Sequence, residues 1–178
     1  MKQTYLFFDT ETTGLHNARL VQLGAKLTDE DGKTISQLDL IVRPDNYIIP
    51  RGAAEIHGIT TQIAIEKGEA IGKVMTQSST MVLQATTIVA HNIDFDLPIV
   101  VSEFQRLQQN DTIDYLLALP QICTMTSTSD FVQASWNDYY GEWKWPKLQE
   151  LYFKLFETHF ENAHNAMEDV EATIKCFF

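Results

Sequence analysis

Residues 4–9, TYLFFD, form an apolar run that ends on a carboxylate and reads as a buried first strand entering the Thr- and Gly-rich turn TETTGL. Residues 19–28, RLVQLGAKLT, alternate apolar and polar positions and predict a second strand. Asp31-Gly32, within the segment 29–33, is a hairpin-turn signal ahead of a third strand over 34–42. The chain therefore opens as a three-stranded antiparallel meander that breaks at Arg43-Pro44. Residues 51–83 read as largely helical, interrupted by IHGIT at 56–60, and a short apolar strand follows at 86–90, TTIVA. The next helix runs to about Gln109 and tolerates Pro98 only in its first turn. PQICT at 120–124 predicts a last edge strand, and 125–145 is irregular and rich in Ser, Thr and aromatics. Pro146 opens a helix through KLQELYFKLF, and a final helix starts at about Ala166. Three antiparallel strands followed by helix–strand–helix–strand–helix predict an α/β fold: a mixed five-stranded sheet flanked by helices.

Composition narrows the picture. At 178 residues the chain suits one domain, 1–178, with 44% hydrophobic and 21% charged residues, ordinary for a soluble globular protein. No apolar run approaches the roughly 20 residues of a membrane span, and the N-terminus lacks a signal-peptide layout, so no membrane partner and a cytoplasmic location are expected. Cys123 and Cys176 form no CxxC and read as free thiols. The last helix ends on CFF, which fits a natural terminus or a truncation. A net charge of −11 counts against a protein that coats nucleic acid. It leaves open one that handles a strand end, where phosphate contacts are few and bound divalent ions invert the local charge.

Three clusters carry candidate chemistry. Asp9 and Glu11 lie two residues apart, so on an extended strand both carboxylates point to one side. Adjacent anions repel unless a cation neutralises them, and hard oxygen donors suit Mg²⁺ or Mn²⁺. HNIDFD at 91–96 follows the strand at 86–90 and enters a helix, a place where α/β folds put their sites. Asp96 is the ligand candidate there, Asp94 the expected helix cap, and His91 a core or strand-end histidine. In HNAMEDVEAT at 164–173, His164 and Asp169 would lie about 140° apart on one helix. They converge only if His164 sits in the preceding loop and Asp169 in the first turns. A mobile histidine there is suited to taking a proton from water. Four carboxylates and a histidine together fit two-metal phosphodiester hydrolysis.

These motifs resemble those of the DEDDh 3′–5′ exonucleases of the ribonuclease H-like superfamily, the group that contains the proofreading subunit of bacterial DNA polymerase III. FDTETTG resembles the first motif, HNIDFD the second, and the H-x-A-x-x-D formed by His164 to Asp169 the third; IHGIT at 56–60 is also typical. The related DEDDy group would place tyrosine four residues before the last aspartate, where this chain has Asn165. The resemblance implies a ribonuclease H-like exonuclease domain in which Asp9, Glu11, Asp96 and Asp169 hold two Mg²⁺ or Mn²⁺ ions and His164 is the general base. It further implies that Thr12, Gly14, Leu15, His57, Asn92 and Phe95 line a pocket for the terminal nucleotide.

GEAIGKV at 68–74 falls short of a phosphate-binding loop, DEDG at 29–32 reads as a solvated hairpin, and the triplet at Asn110 is an incidental glycosylation match. In DYYGEWKWPK at 138–147, Tyr139, Tyr140, Trp143 and Trp145 interleave with Lys144 and Lys147. That combination suits stacking on single-stranded bases, or pinning of an irregular loop to the body. The expected function is 3′–5′ exonucleolytic release of nucleoside 5′-monophosphates from DNA, of the proofreading type, with a polymerase as partner in trans. The alternatives are an exoribonuclease trimming RNA and a non-catalytic acidic interaction module.

Overall fold

The first apolar run becomes β1 (Thr4–Thr12), which continues past Asp9 because its antiparallel register with β2 (Leu20–Asp29) holds through Glu11 and Gln22 before a bulge at Thr12. β3 (Thr34–Ile41) completes the meander, with Asp29 Oδ1 accepting from the Asp31 and Lys33 amides across the turn. The structure is a computed structural model and describes residues 2–178.

The helical stretch after the meander divides into α1 (Arg51–His57), α2 (Thr61–Lys67) and α3 (Ile71–Val82). Gly58, at φ 75°, ends α1, and the Thr60 hydroxyl accepts from the Ile63 amide to start α2. β4 (Thr87–Ala90) then pairs parallel with β1, and α4 (Ile93–Arg106) and α5 (Asn110–Ala118) lead to β5 (Gln121–Cys123), parallel to β4. Two short helices, α6 (Thr124–Ser127) and α7 (Ser129–Val132), precede a small hairpin of β6 (Trp136–Asn137) and β7 (Glu142–Trp143). α8 (Leu148–Phe156) and α9 (Ala166–Phe177) complete the chain.

The main sheet is five-stranded, in the order β3-β2-β1-β4-β5, with antiparallel strands first and parallel ones after. Its architecture is the mixed α/β one that the sequence predicts. One face buries Leu6, Phe8, Leu23, Leu27 and Ile88 against α3, α4 and α5. The other buries Phe7 and Val89 against Val170 of α9. Removal of a fully buried aromatic such as Phe7 costs on the order of 3–5 kcal/mol. No helix among the described residues is long and apolar enough to cross a membrane.

Some local expectations need correction, whereas β2 forms where its alternation predicts a strand. Its Leu20–Thr28 are buried on both faces, because α9 covers the polar side. There Lys26 is held by Glu171, while nearer the strand's start Gln22 donates to Asp39 at 2.7 Å. Asp94 does not cap α4; Asn92 holds the N-cap position, in a left-handed conformation at φ 78° and without a side-chain cap hydrogen bond, and Asp94 lies in the first turn. Because α4 starts that early, Pro98 falls beyond its first turn, where it removes the donor for the Asp94 carbonyl. Finally, α5 occupies a stretch that the periodicity leaves unassigned, burying Ile113 and Leu116.

Candidate active site

Alternation along β1 turns Asp9 and Glu11, like Phe7, toward α9, and Asp169 sits in the first turn of that helix. Carboxylate oxygens of Asp9, Glu11 and Asp169 lie within 4.8 Å of one another. The approach is close because of Gly24, which faces Asp9 in the β1–β2 register: a Cβ there would meet the backbone of Ala166 and Met167 at 2.5–2.7 Å. Asp96 arrives from the other layer, at the start of α4. Its Oδ1 accepts from the Thr10 amide at 2.9 Å and the Thr10 hydroxyl at 2.6 Å. Nothing in the sequence pattern singles out Thr10 or Gly24, since their partners lie far along the chain.

Burial and mutual repulsion dominate the electrostatics. Desolvation, then Asp96, Asp169 and Glu11, holds the Asp9 carboxyl well above its usual range. Burial, with Asp169 and Asp96, pushes Glu11 up to about 8. Burial raises Asp96 to about 7 despite the Thr10 hydrogen bonds, and raises Asp169 to about 6 despite the His164 amide. No lysine or arginine among the described residues forms an ion pair with any of the four. Converging, buried, oxygen-only donors with no protein countercharge fit hard divalent cations.

The eleven residues singled out for the site line a single cleft of about 740 Å³, the size of a small-ligand or nucleotide site. His164 lies in the loop before α9, exposed, with φ 69°, and its amide donates to Asp169 Oδ2 at 3.1 Å. That loop placement is the geometry the histidine–aspartate spacing requires. His57 is buried: its Nδ1 accepts from the Ile59 amide at 3.1 Å, so Nε2 carries the hydrogen. Nε2 is buried without a hydrogen-bond partner among the described residues, and desolvation lowers the pKa of the ring. Leu15 is 78% exposed at the cleft edge. Gly14, at φ 149°, has open space where a Cβ would be, so backbone conformation rather than crowding selects glycine there. The Thr12 hydroxyl donates to the Gly14 carbonyl at 2.7 Å, and Asn92 and Phe95 form the α4 side.

His91 also reaches the cleft, but both ring nitrogens are engaged: Nε2 with the Pro146 carbonyl and Nδ1 with the Thr124 hydroxyl, each at 3.0 Å. It is a strand-end brace, as its position after β4 suggests. Trp145 and Lys147 line the cleft too, whereas Trp143 packs edge-to-face on Trp136 at 5.0 Å within the small hairpin. Of the two readings of the aromatic segment, pinning therefore suits Trp143, and only part of the cluster faces the site.

A family profile described as RNase_T, exonuclease, matches residues 6–177. The DNA polymerase III PolC-type of Streptococcus mutans serotype c is 29% identical over 178 residues, covering 98% of this chain and 11% of that protein. DNA polymerase III subunit epsilon of Haemophilus influenzae is 26% identical over 130 residues, covering 69% of this chain and 47% of the subunit. The zinc-ion-bound form of the E. coli ExoI–ssDNA complex superposes with a TM-score of 0.79 at 26% identity, over 98% of this chain and 39% of that one. The chain thus spans about a tenth of the length of the PolC-type proteins it matches.

Proposed function

The chain belongs to the RNase_T exonuclease family, of the DEDDh 3′–5′ type, and from that premise we propose that it removes single nucleotides from the 3′ end of a DNA strand, releasing nucleoside 5′-monophosphates. The observation that carries the proposal is the convergence of Asp9, Glu11 and Asp169 within 4.8 Å, beside Asp96 and an exposed histidine, with no lysine or arginine paired to them among the described residues.

Each residue then has a definite task. Asp9, Glu11, Asp96 and Asp169 would hold two Mg²⁺ or Mn²⁺ ions, whose charge supplies Lewis-acid stabilisation of the phosphate as it becomes pentacovalent. His164 takes a proton from the attacking water at a ring nitrogen; its loop position lets the ring move while its amide stays tied to Asp169. Water adds to the phosphorus of the terminal nucleotide, the bond to the preceding O3′ breaks, and that oxygen regains a proton as a hydroxyl. His57 offers its buried Nε2–H to an oxygen of the terminal nucleotide. Leu15 and Phe95 give apolar surfaces to its base, and Thr12, Gly14 and Asn92 shape the pocket around its sugar.

DNA is the favoured polymer because the relatives are DNA polymerase III proteins and the superposed structure is a complex with single-stranded DNA. The same names support a replicative, proofreading-type role inside the cell alongside a DNA polymerase. The proposal is tested with 3′-labelled DNA and RNA strands digested in parallel. Mg²⁺-dependent release of monophosphate from DNA is expected, lowered about 10²–10⁴-fold by His164→Ala and abolished by Asp9→Ala. Activity that survives EDTA refutes the metal mechanism; faster release from RNA makes the chain a ribonuclease; no release from either favours the acidic interaction module.

A further inference from the structure

The aromatic segment before α8 has a built conformation. Asn137 Oδ1 accepts from the Tyr139 and Tyr140 amides at 3.1 and 3.3 Å, and Gly141, at φ 66°, closes the turn by donating to the Asn137 carbonyl at 2.9 Å. The Lys144 amide extends the hairpin by donating to the Ser135 carbonyl at 2.8 Å. Within it the Trp136–Trp143 pair provides the packing, which leaves Tyr139, Tyr140 and Trp145 free of that duty. Tyr139 and Tyr140 stand at the tip, 87% and 70% exposed, with rings edge-to-face at 4.8 Å. Trp145 is 56% exposed and makes no ring pair among the described residues. It is held at the cleft wall because the next residue, Pro146, is buried and its carbonyl is bonded to His91.

Charge distribution points the same way. The chain carries −11 overall, yet residues 138–147 are neutral, with Lys144 and Lys147 balancing Asp138 and Glu142. Neither lysine forms an ion pair among the described residues. Lys147 lines the cleft itself. Aromatic side chains interleaved with free ammonium groups, reaching the cleft wall at Trp145 and Lys147, are what a sequence-tolerant single-strand path requires. From Trp145 back to Tyr140 the chain reaches at most about 17 Å, so the two surfaces can serve one continuous strand.

We propose that the β6–β7 hairpin and the segment through Lys147 form the platform for the single strand upstream of the terminal nucleotide, with one base stacked on Trp145, further bases on Tyr139 and Tyr140, and phosphates on Lys144 and Lys147. The proposal rests on the nuclease reading of the cleft for the direction of the strand. Trp143 supports the hairpin and makes no base contact.

The test compares 5′-fluorescein-labelled dT12 and dT3 by fluorescence anisotropy in Ca²⁺ buffer, with hydrolysis followed separately in Mg²⁺. The full chain should prefer dT12, and both Trp145→Ala and Tyr139→Ala/Tyr140→Ala should weaken dT12 about tenfold or more while dT3 changes much less. Trp145→Phe should restore the preference, and melting curves exclude unfolding. Wild-type dT12 affinity in both alanine variants, equal losses for dT3 and dT12, or no length preference in the unaltered chain would each overturn the platform. A chain that binds dT12 through these residues but hydrolyses nothing retains the platform and loses the nuclease reading.

Discussion

Gly24 faces the first catalytic-candidate aspartate across two strands and carries no side chain because a helix backbone occupies that space. Gly24→Ala must push the start of α9 outward, and with it Asp169. Misplacement of a reacting group by about 1 Å costs on the order of 10²-fold in rate. Steady-state hydrolysis by Gly24→Ala should therefore fall about 100-fold in kcat with the protein still folded by circular dichroism; a rate within twofold of wild type would sink this account. At this scale legibility depends on sequence distance. Asp9 and Glu11 declare themselves because they are two residues apart on an apolar strand. Thr10, which aligns Asp96, and Gly24, which admits α9, act only through partners more than eighty residues away.

Among the elements, α9 does the most for the site. It presents Asp169, packs Val170 on Phe7 and ties Glu171 to Lys26. Asn165, between the loop histidine and the helix, accepts from the Met167 and Glu168 amides at 3.2 and 3.4 Å. Asn165→Ala should cost about 1 kcal/mol, a fall of roughly 2–4 °C in Tm for a chain of this size, and a melting curve unchanged from wild type would show the cap to be idle. β1 is readable from its apolar run, β3 from the Asp31-Gly32 turn ahead of it and α8 from the Pro146 that opens it. The alternation of β2 reveals the strand but not its burial on both faces, because it reports side-chain chemistry rather than what covers a face. α5 escapes the pattern because only two of its apolar residues, Ile113 and Leu116, are buried, and the aromatic segment because its hairpin strands are two residues long.

For the whole molecule, the crowded carboxylates link stability to pH and to cations. Glu11, ordinarily near 4.5, is held at about 8, Asp96 at about 7 and Asp169 at about 6. Folded values above unfolded ones mean that the stabilising contribution is complete below pH ~4 and is lost as pH rises through 6–8. In EDTA, Tm should therefore decline between pH 5 and pH 8; a flat or rising profile contradicts the assignment. At pH 8 a hundredfold excess of Mg²⁺ over its Kd contributes about 2.7 kcal/mol, or roughly 5–10 °C, and this gain should vanish in Asp9→Ala. The strand order has a separate consequence, for the timing of folding. β1 pairs with its neighbour in sequence, β2, through a short loop, but with β4 only after more than seventy intervening residues, and α9 docks from the far end of the chain. Closing those long loops comes late, when local structure already exists. On the proposed reading, the site drawn from residues 9, 11, 96 and 169 is complete only when α9 has docked, so a partly folded chain would not yet act as a stray nuclease: the topology would delay cutting power until α9 has joined the sheet.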